Sequence, residues 1–225
     1  MDGNPDGNEP LIMNLQETPG ARSGRRGWSL AEMMVVMTVI GFLLALSAPN
    51  LFSLLRASEL STQGEQLRNW LSLAQQQALS TGADVEVRFF RFADLADAQT
   101  TPEWRACQFY QYDAAGRLQP SAELMRLKEP VVISSMPALS TLVDLSRPGL
   151  NVGQVEAERL FGKDVDSATA DFCSFRFRPD GSTDLAKNLQ WYVTLVQDEG
   201  DNPAPKNFFC LQVDPYNGSL REYRP

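Results

Sequence analysis

Between Met33 and Leu55 the chain carries no charge at all, and a single carboxylate, Glu32, stands at the head of that run. An apolar stretch of this length has few solutions in water. At about 1.5 Å per residue, 20 or so apolar residues in a helix cover the hydrocarbon core of a bilayer. A charge at membrane depth costs about 2.5–3.5 kcal/mol even on insertion-based scales, so Glu32 calls for a partner that justifies it. Arg25 and Arg26 precede the run and Arg56 is the first charge after it. The positive-inside bias therefore holds the N-terminus in the cytoplasm and sends everything beyond Leu55 outward. Gly41 and Pro49 are tolerated in such a helix, and Pro49 is expected to kink it.

Beyond the apolar run the pattern becomes one-sided. Leu60, Leu67, Trp70, Leu71, Ala74 and Ala78 recur at helical spacing with Glu59, Gln63, Gln66, Arg68, Gln75 and Gln76 between them, which predicts an amphipathic continuation over 56–82 whose apolar stripe covers a sheet. Gly82 is placed to take the left-handed cap. Strands are then expected over 85–89, 104–112, 131–136, 172–178, 190–196, 208–213 and 220–223, from period-two or β-branched and aromatic runs. Pro179-Asp180-Gly181 and Asn217-Gly218 supply turn signals between the later runs. The stretch 137–170 has no clean period and reads as a short helix or a surface insertion. One long N-terminal helix followed by an antiparallel sheet is an α+β architecture. Residues 1 to about 24, rich in Gly, Asn, Asp, Pro and Ser, lack the apolar groups that ordering requires and read as a disordered cytoplasmic leader.

Composition removes several chemistries. The chain has no histidine, which excludes Ser-His and Cys-His catalysis and the commonest metal ligand. No phosphate-binding glycine pattern and no Cys-x-x-Cys pair occurs, so no catalytic residue and no metal ligand set is assigned. Asp94 with Asp97 and Asp164 with Asp166 fall in polar, loop-like stretches and read as solvated surface. The formal charge is −8, which speaks against a nucleic-acid partner. The one cation site weighed is calcium at Asp198-Glu199-Gly200-Asp201-Asn202, whose oxygens surround a glycine but lack EF-hand spacing; the plainer reading is a polar hairpin loop.

The segment Arg25-Arg26-Gly27-Trp28-Ser29-Leu30-Ala31-Glu32-Met33-Met34-Val35-Val36 resembles the class III signal of type IV prepilins and type II secretion pseudopilins. It has basic residues, a glycine, an aromatic residue, and glutamate fifth after the glycine. The family usually has phenylalanine where Trp28 stands, and Pro49 falls where pilins commonly carry a kinking proline. Later text, Leu67 to Ala78, a strand, then Phe175-Arg176-Phe177-Arg178-Pro179-Asp180-Gly181-Ser182 and a terminal hairpin, is similar as a pattern to the minor GspH/FimT group. The resemblance implies a type IV pilin-like fold and a structural subunit with no enzymatic role. It implies a leader of 1–27 removed by prepilin peptidase between Gly27 and Trp28, a transmembrane helix over 28–55, its amphipathic continuation over 56–82, and an extracytoplasmic β-rich domain over 83–225. The implied partners are the peptidase, sister pilins or pseudopilins, an inner-membrane assembly platform and the lipid bilayer. The implied site is single-pass in the inner membrane and in a pilus or pseudopilus. Cleavage creates an α-amine on Trp28, and Glu32 can pair with the amine of a neighbouring subunit. Because an unmatched buried charge costs about 3–5 kcal/mol, such a pair sets register more than it adds net stability.

An oxidising compartment permits disulfides, and Cys107, Cys173 and Cys210 allow three single pairings with one thiol left over. Cys173 with Cys210 is the expected pair, both lying in late strand-like runs. The alternative is three reduced thiols acting as small apolar residues. A rival to the whole reading is an exported or anchored binding module that is never assembled into a filament, cut near Ala45-Leu46-Ser47 or not at all.

Overall fold

The computed structural model describes residues 27–93, 101–113, 115–156, 160, 169–197 and 205–225, with side chains described except over 46–56. Two units are distinguished, 1–47 and 48–225. Helix α1 (Leu30–Thr81, 52 residues) has residues in both.

In the second unit the expected stripe is the buried face of α1. Leu60, Leu67, Leu71, Ala74 and Ala78 are all buried, while Leu73 and Leu79, off the stripe, are exposed. Trp70 lies against Phe109 with ring centroids 4.9 Å apart. Gly64 belongs to the same face, where its missing side chain admits the Phe209 ring: a Cβ there would stand 2.2 Å from Phe209 Cγ. The helix stops where Gly82 turns to φ 66° and donates its N–H to Ala78 O at 3.1 Å, the left-handed cap expected of a glycine.

Among the described residues ten strands follow: β1 (Val85–Phe92), β2 (Glu103–Tyr112), β3 (Leu118–Pro120), β4 (Met125–Arg126), β5 (Val131–Ile133), β6 (Asn151–Glu156), β7 (Thr169–Phe177), β8 (Trp191–Gln197), β9 (Phe209–Val213) and β10 (Leu220–Tyr223). They form one sheet in the order β10-β9-β8-β5-β2-β1-β7-β6, with β3 and β4 pairing alongside β2. Every pairing is antiparallel. The α+β class expected from the sequence is the observed architecture, an N-terminal helix packed on an antiparallel sheet.

Alternation along β1 sends Val85, Val87 and Phe89 into the core under α1, and Phe90 and Phe92 into a second cluster with Ala106, Tyr110, Ala170 and Phe172. Glu86, between Val85 and Val87 in β1, is 2% exposed. Its carboxylate accepts from Arg88 Nε at 2.7 Å and Arg176 Nε at 3.3 Å, while the Arg88 guanidinium stacks on the Tyr110 and Phe172 rings. A buried carboxylate is tolerable only when paired in this way. Trp104 and Phe109 are core residues, and Tyr110 belongs to the second cluster.

Over 137–156 the unpatterned stretch packs on the sheet rather than forming a surface insertion, and Leu160, further along, is helical. Thr141 and Leu142 donate their N–H groups to Tyr192 O, Ser140 to Val143 are buried, and β6 closes the sheet beside β7. Gly153 hides β6 from a period-two reading: its bare Cα lets the Phe172 ring approach, where a Cβ would meet the ring at 2.8 Å.

The two turn signals behave differently. Asn217-Gly218, with Gly218 at φ 65°, closes the β9–β10 hairpin. Pro179-Asp180-Gly181 turns the chain after β7, yet β7 and β8 are not neighbours, because β1, β2 and β5 lie between them. Both turns meet at α1, where Gln75 Nε2 donates to Gly181 O at 3.1 Å and to Asn217 O at 2.8 Å.

The expected Cys173–Cys210 disulfide is absent: all three cysteines are free. Four strands separate β7 from β9, roughly 24 Å along the sheet at about 4.8 Å per spacing, whereas a disulfide needs Cα atoms within about 7 Å. Cys173 is in the core and donates its thiol to Leu142 O at 3.0 Å. Cys210 is half-buried and lines a depression on β8 and β9. Burial raises the Cys107 and Cys173 thiol pKa values well above the usual range, which suits small apolar fillers rather than nucleophiles.

Candidate functional site

The residues singled out at the N-terminus sit together at the start of α1. Gly27, Trp28 and Ser29 precede the first helical residue, Leu30. Ser29 is the N-cap: its carbonyl accepts the first intrahelical bond, from Met33 N at 3.1 Å. Its hydroxyl accepts from Glu32 N at 3.1 Å, and the Glu32 Oε2 in turn accepts from Ser29 N at 3.0 Å. This reciprocal pair is a capping box, which satisfies two of the helix's otherwise orphaned donors. A carboxylate in the first turn also faces the positive end of the helix dipole. The sequence signal for it is Ser-x-x-Glu ahead of an apolar run, in Ser29-Leu30-Ala31-Glu32.

The box fixes where the Glu32 carboxylate can act. One oxygen is tied to the amide of Ser29, the residue next to Trp28. A carboxylate accepts about four hydrogen bonds in all, so the box leaves acceptor capacity for an ammonium group nearby. Gly27 has open space around its Cα and Trp28 is 69% exposed, which leaves the peptide bond between them accessible.

From Met33 onward this unit presents apolar side chains outward. Met34, Val35, Met37, Phe42, Leu43 and Leu44 are each more than half exposed. Thr38, a polar residue among them, turns its hydroxyl back to Met34 O at 2.8 Å, a bond that satisfies it within the helix. Among the described residues no helix is long and apolar enough to cross a membrane. The expected span of 28–55 extends into 46–56, whose side chains lie outside the described residues, and so does the side chain of Pro49, which falls within α1.

Among the described residues of the second unit there is no comparable constellation. Among the described residues no group of three or more His, Cys, Asp or Glu side chains is arranged to hold a metal, and the calcium loop weighed at 198–202 lies outside them. A shallow, mostly apolar depression of about 310 Å³ is lined by Ala138, Leu139, Tyr192, Thr194, Pro205, Phe208 and Cys210.

No family model matches the chain, and no curated protein matches it. Among solved structures it is similar to two of the minor pseudopilin EpsH from the type 2 secretion system of Vibrio cholerae. These are 14% and 15% identical, each with a TM-score of 0.41, over 74% and 75% of this chain and 98% and 95% of theirs. It is also similar to the type IV minor pilin FimU of Pseudomonas aeruginosa, 12% identical with a TM-score of 0.37, over 75% of this chain and 93% of that one. The overlap is loose at these scores, and the fold described above stands on its own strand order and helix packing.

Proposed function

We propose that this chain is a prepilin-type assembly subunit of a type II secretion or type IV pilus-like system, in the manner of a minor pseudopilin or minor pilin. In this reading a prepilin peptidase cuts between Gly27 and Trp28, and the apolar start of α1 anchors the product in the inner membrane with the sheet domain outside. The helix then packs with those of sister subunits. The observation that carries the reading is the position of the Glu32 carboxylate. It is held at the start of an outward-facing apolar helix, bonded to the amide next to the residue whose α-amine the cut would create. Trp28 supplies that amine, and Glu32 offers the remaining acceptor capacity to the amine of a neighbouring subunit. Pairing neutralises both charges where lipid or packed helices exclude water, and the cost of a mismatch enforces axial register.

The experiment is a comparison of Glu32→Val and Glu32→Gln with the parent chain. Both variants are expected to insert in the membrane to the parental level and to lose recovery in sheared filaments or in crosslinks with sister subunits. Normal co-assembly of Glu32→Val would remove Glu32 from the mechanism.

A further inference from the structure

We infer that β10 is a salt-releasable strap, an edge strand that opens as a unit from the rest of the sheet and bares the edge of β9. The two strands of this hairpin are held by different forces. In β9, Phe209, Leu211 and Val213 are almost wholly buried. In β10, Leu220 is half-buried, while Arg221, Glu222 and Tyr223 are exposed. Among the described residues β10 pairs with β9 alone, through the four positions from Leu220↔Val213 to Tyr223↔Cys210.

What fastens β10 to α1 is charge. Arg224 Nη2 lies 2.9 Å from Glu65 Oε1 and 3.6 Å from Glu222 Oε1, and Arg68 Nη1 lies 3.6 Å from Glu222 Oε2. The Arg224 guanidinium also covers the Phe209 ring, 4.6 Å from its centroid. All four ion-pair side chains are 37–56% exposed, a setting in which such pairs contribute little each and are screened by salt. The Arg224 end also carries one uncharged side-chain bond, from the Tyr223 hydroxyl to Gln212 Oε1 at 2.9 Å, while the turn end is held by uncharged bonds: Gly218 N donates to Asp214 O at 2.8 Å and Gln75 pins Asn217 O. Salt therefore loosens the Arg224 end while the turn stays fixed as the hinge. The apolar side chain that β10 packs against the core is the half-buried Leu220, next to the hinge, so release of the Arg224 end leaves the buried core under α1 in place, which is the condition for local rather than global opening. The bared β9 edge is a row of unpaired backbone groups.

The test is amide hydrogen exchange on the full chain in detergent, at low salt and at about 1 M NaCl, where the screening length falls to about 3 Å. Exchange of the β10 amides and their β9 partners is expected to rise about 3–10-fold in high salt, with β1 unchanged. Glu65→Gln is expected to raise β10 exchange about 2–5-fold at low salt and to blunt the further effect of salt. Exchange in β10 that ignores both salt and Glu65→Gln, or that rises in step with β1, would overturn the inference.

Discussion

Replacing Gly64 by alanine sets two effects of opposite sign against each other. On helix propensity alone, alanine in a helix interior is better than glycine by about 1 kcal/mol. Against it, the new Cβ would stand 2.2, 2.4 and 2.5 Å from three atoms of the Phe209 ring. Ordinary carbon contacts fall at about 3.5–4.0 Å, so ring or helix must retreat by about 1.5 Å. Neither can do so freely, because Phe209 is 1% exposed and Leu60 and Leu67 fix the helix on either side. Overpacking of this kind costs about 1–3 kcal/mol, and the immobility of both partners puts it at the upper end. The expected net loss is about 2 kcal/mol after the propensity gain, or a Tm lower by about 4–8 °C for a domain of this size. The assay is thermal and urea unfolding of the full chain in detergent, followed by the sheet signal. A smaller side chain at the partner position should relieve the strain. Gly64→Ala with Phe209→Leu is therefore expected to be less destabilised than the sum of the two single variants by about 1 kcal/mol or more. A Gly64→Ala protein more stable than the parent, or strictly additive behaviour in the cycle, would refute the close approach of α1 to β9.

Two further outcomes follow from the charges and thiols. Hydrogen bonds from the Ser182 hydroxyl and the Ser182 amide hold the Asp180 carboxyl below the usual carboxylate pKa. A group depressed in the folded state adds stability above its unfolded pKa and loses it as pH falls through the folded value, so the 179–182 turn loosens as pH falls below the ordinary aspartate range. A carboxyl-carbon NMR titration of Asp180 with its midpoint at or above that of an unstructured aspartate would contradict this. Without reductant, the unfolded protein is expected to yield three titratable thiols, and in the native protein Cys210 should react well before Cys107 or Cys173; two missing thiols would restore a disulfide.

The elements legible in the sequence are those whose pattern is local. The stripe from Leu60 to Ala78 repeats at helical spacing and the main strands alternate, so α1 and the sheet could be read residue by residue. Strands β3 and β4 are too short to show a period, and β6 is masked by Gly153, whose value lies in a contact with Phe172 on another strand. Strand order is non-local in the same way. Turn residues after β7 reveal that the chain bends but not that three strands separate β7 from β8, and the cysteine pairing failed for that reason. Glu86 is buried, which alternation cannot reveal because it names a face without saying what covers it; Arg88, with Tyr110 and Arg176 as the register partners on β2 and β7, stands against it. At the N-terminus, Glu32 was visible through its charge, whereas its bond to Ser29 required reading the same four residues as a helix start.

The proposed cut after Gly27 is tested most directly by intact mass and N-terminal sequencing of the membrane-extracted protein, with and without a co-expressed prepilin peptidase. The account predicts a peptidase-dependent start at Trp28, with the amine next to the Ser29–Glu32 box. A start at Ala48, or an uncut Met1 in the presence of active peptidase, would contradict it.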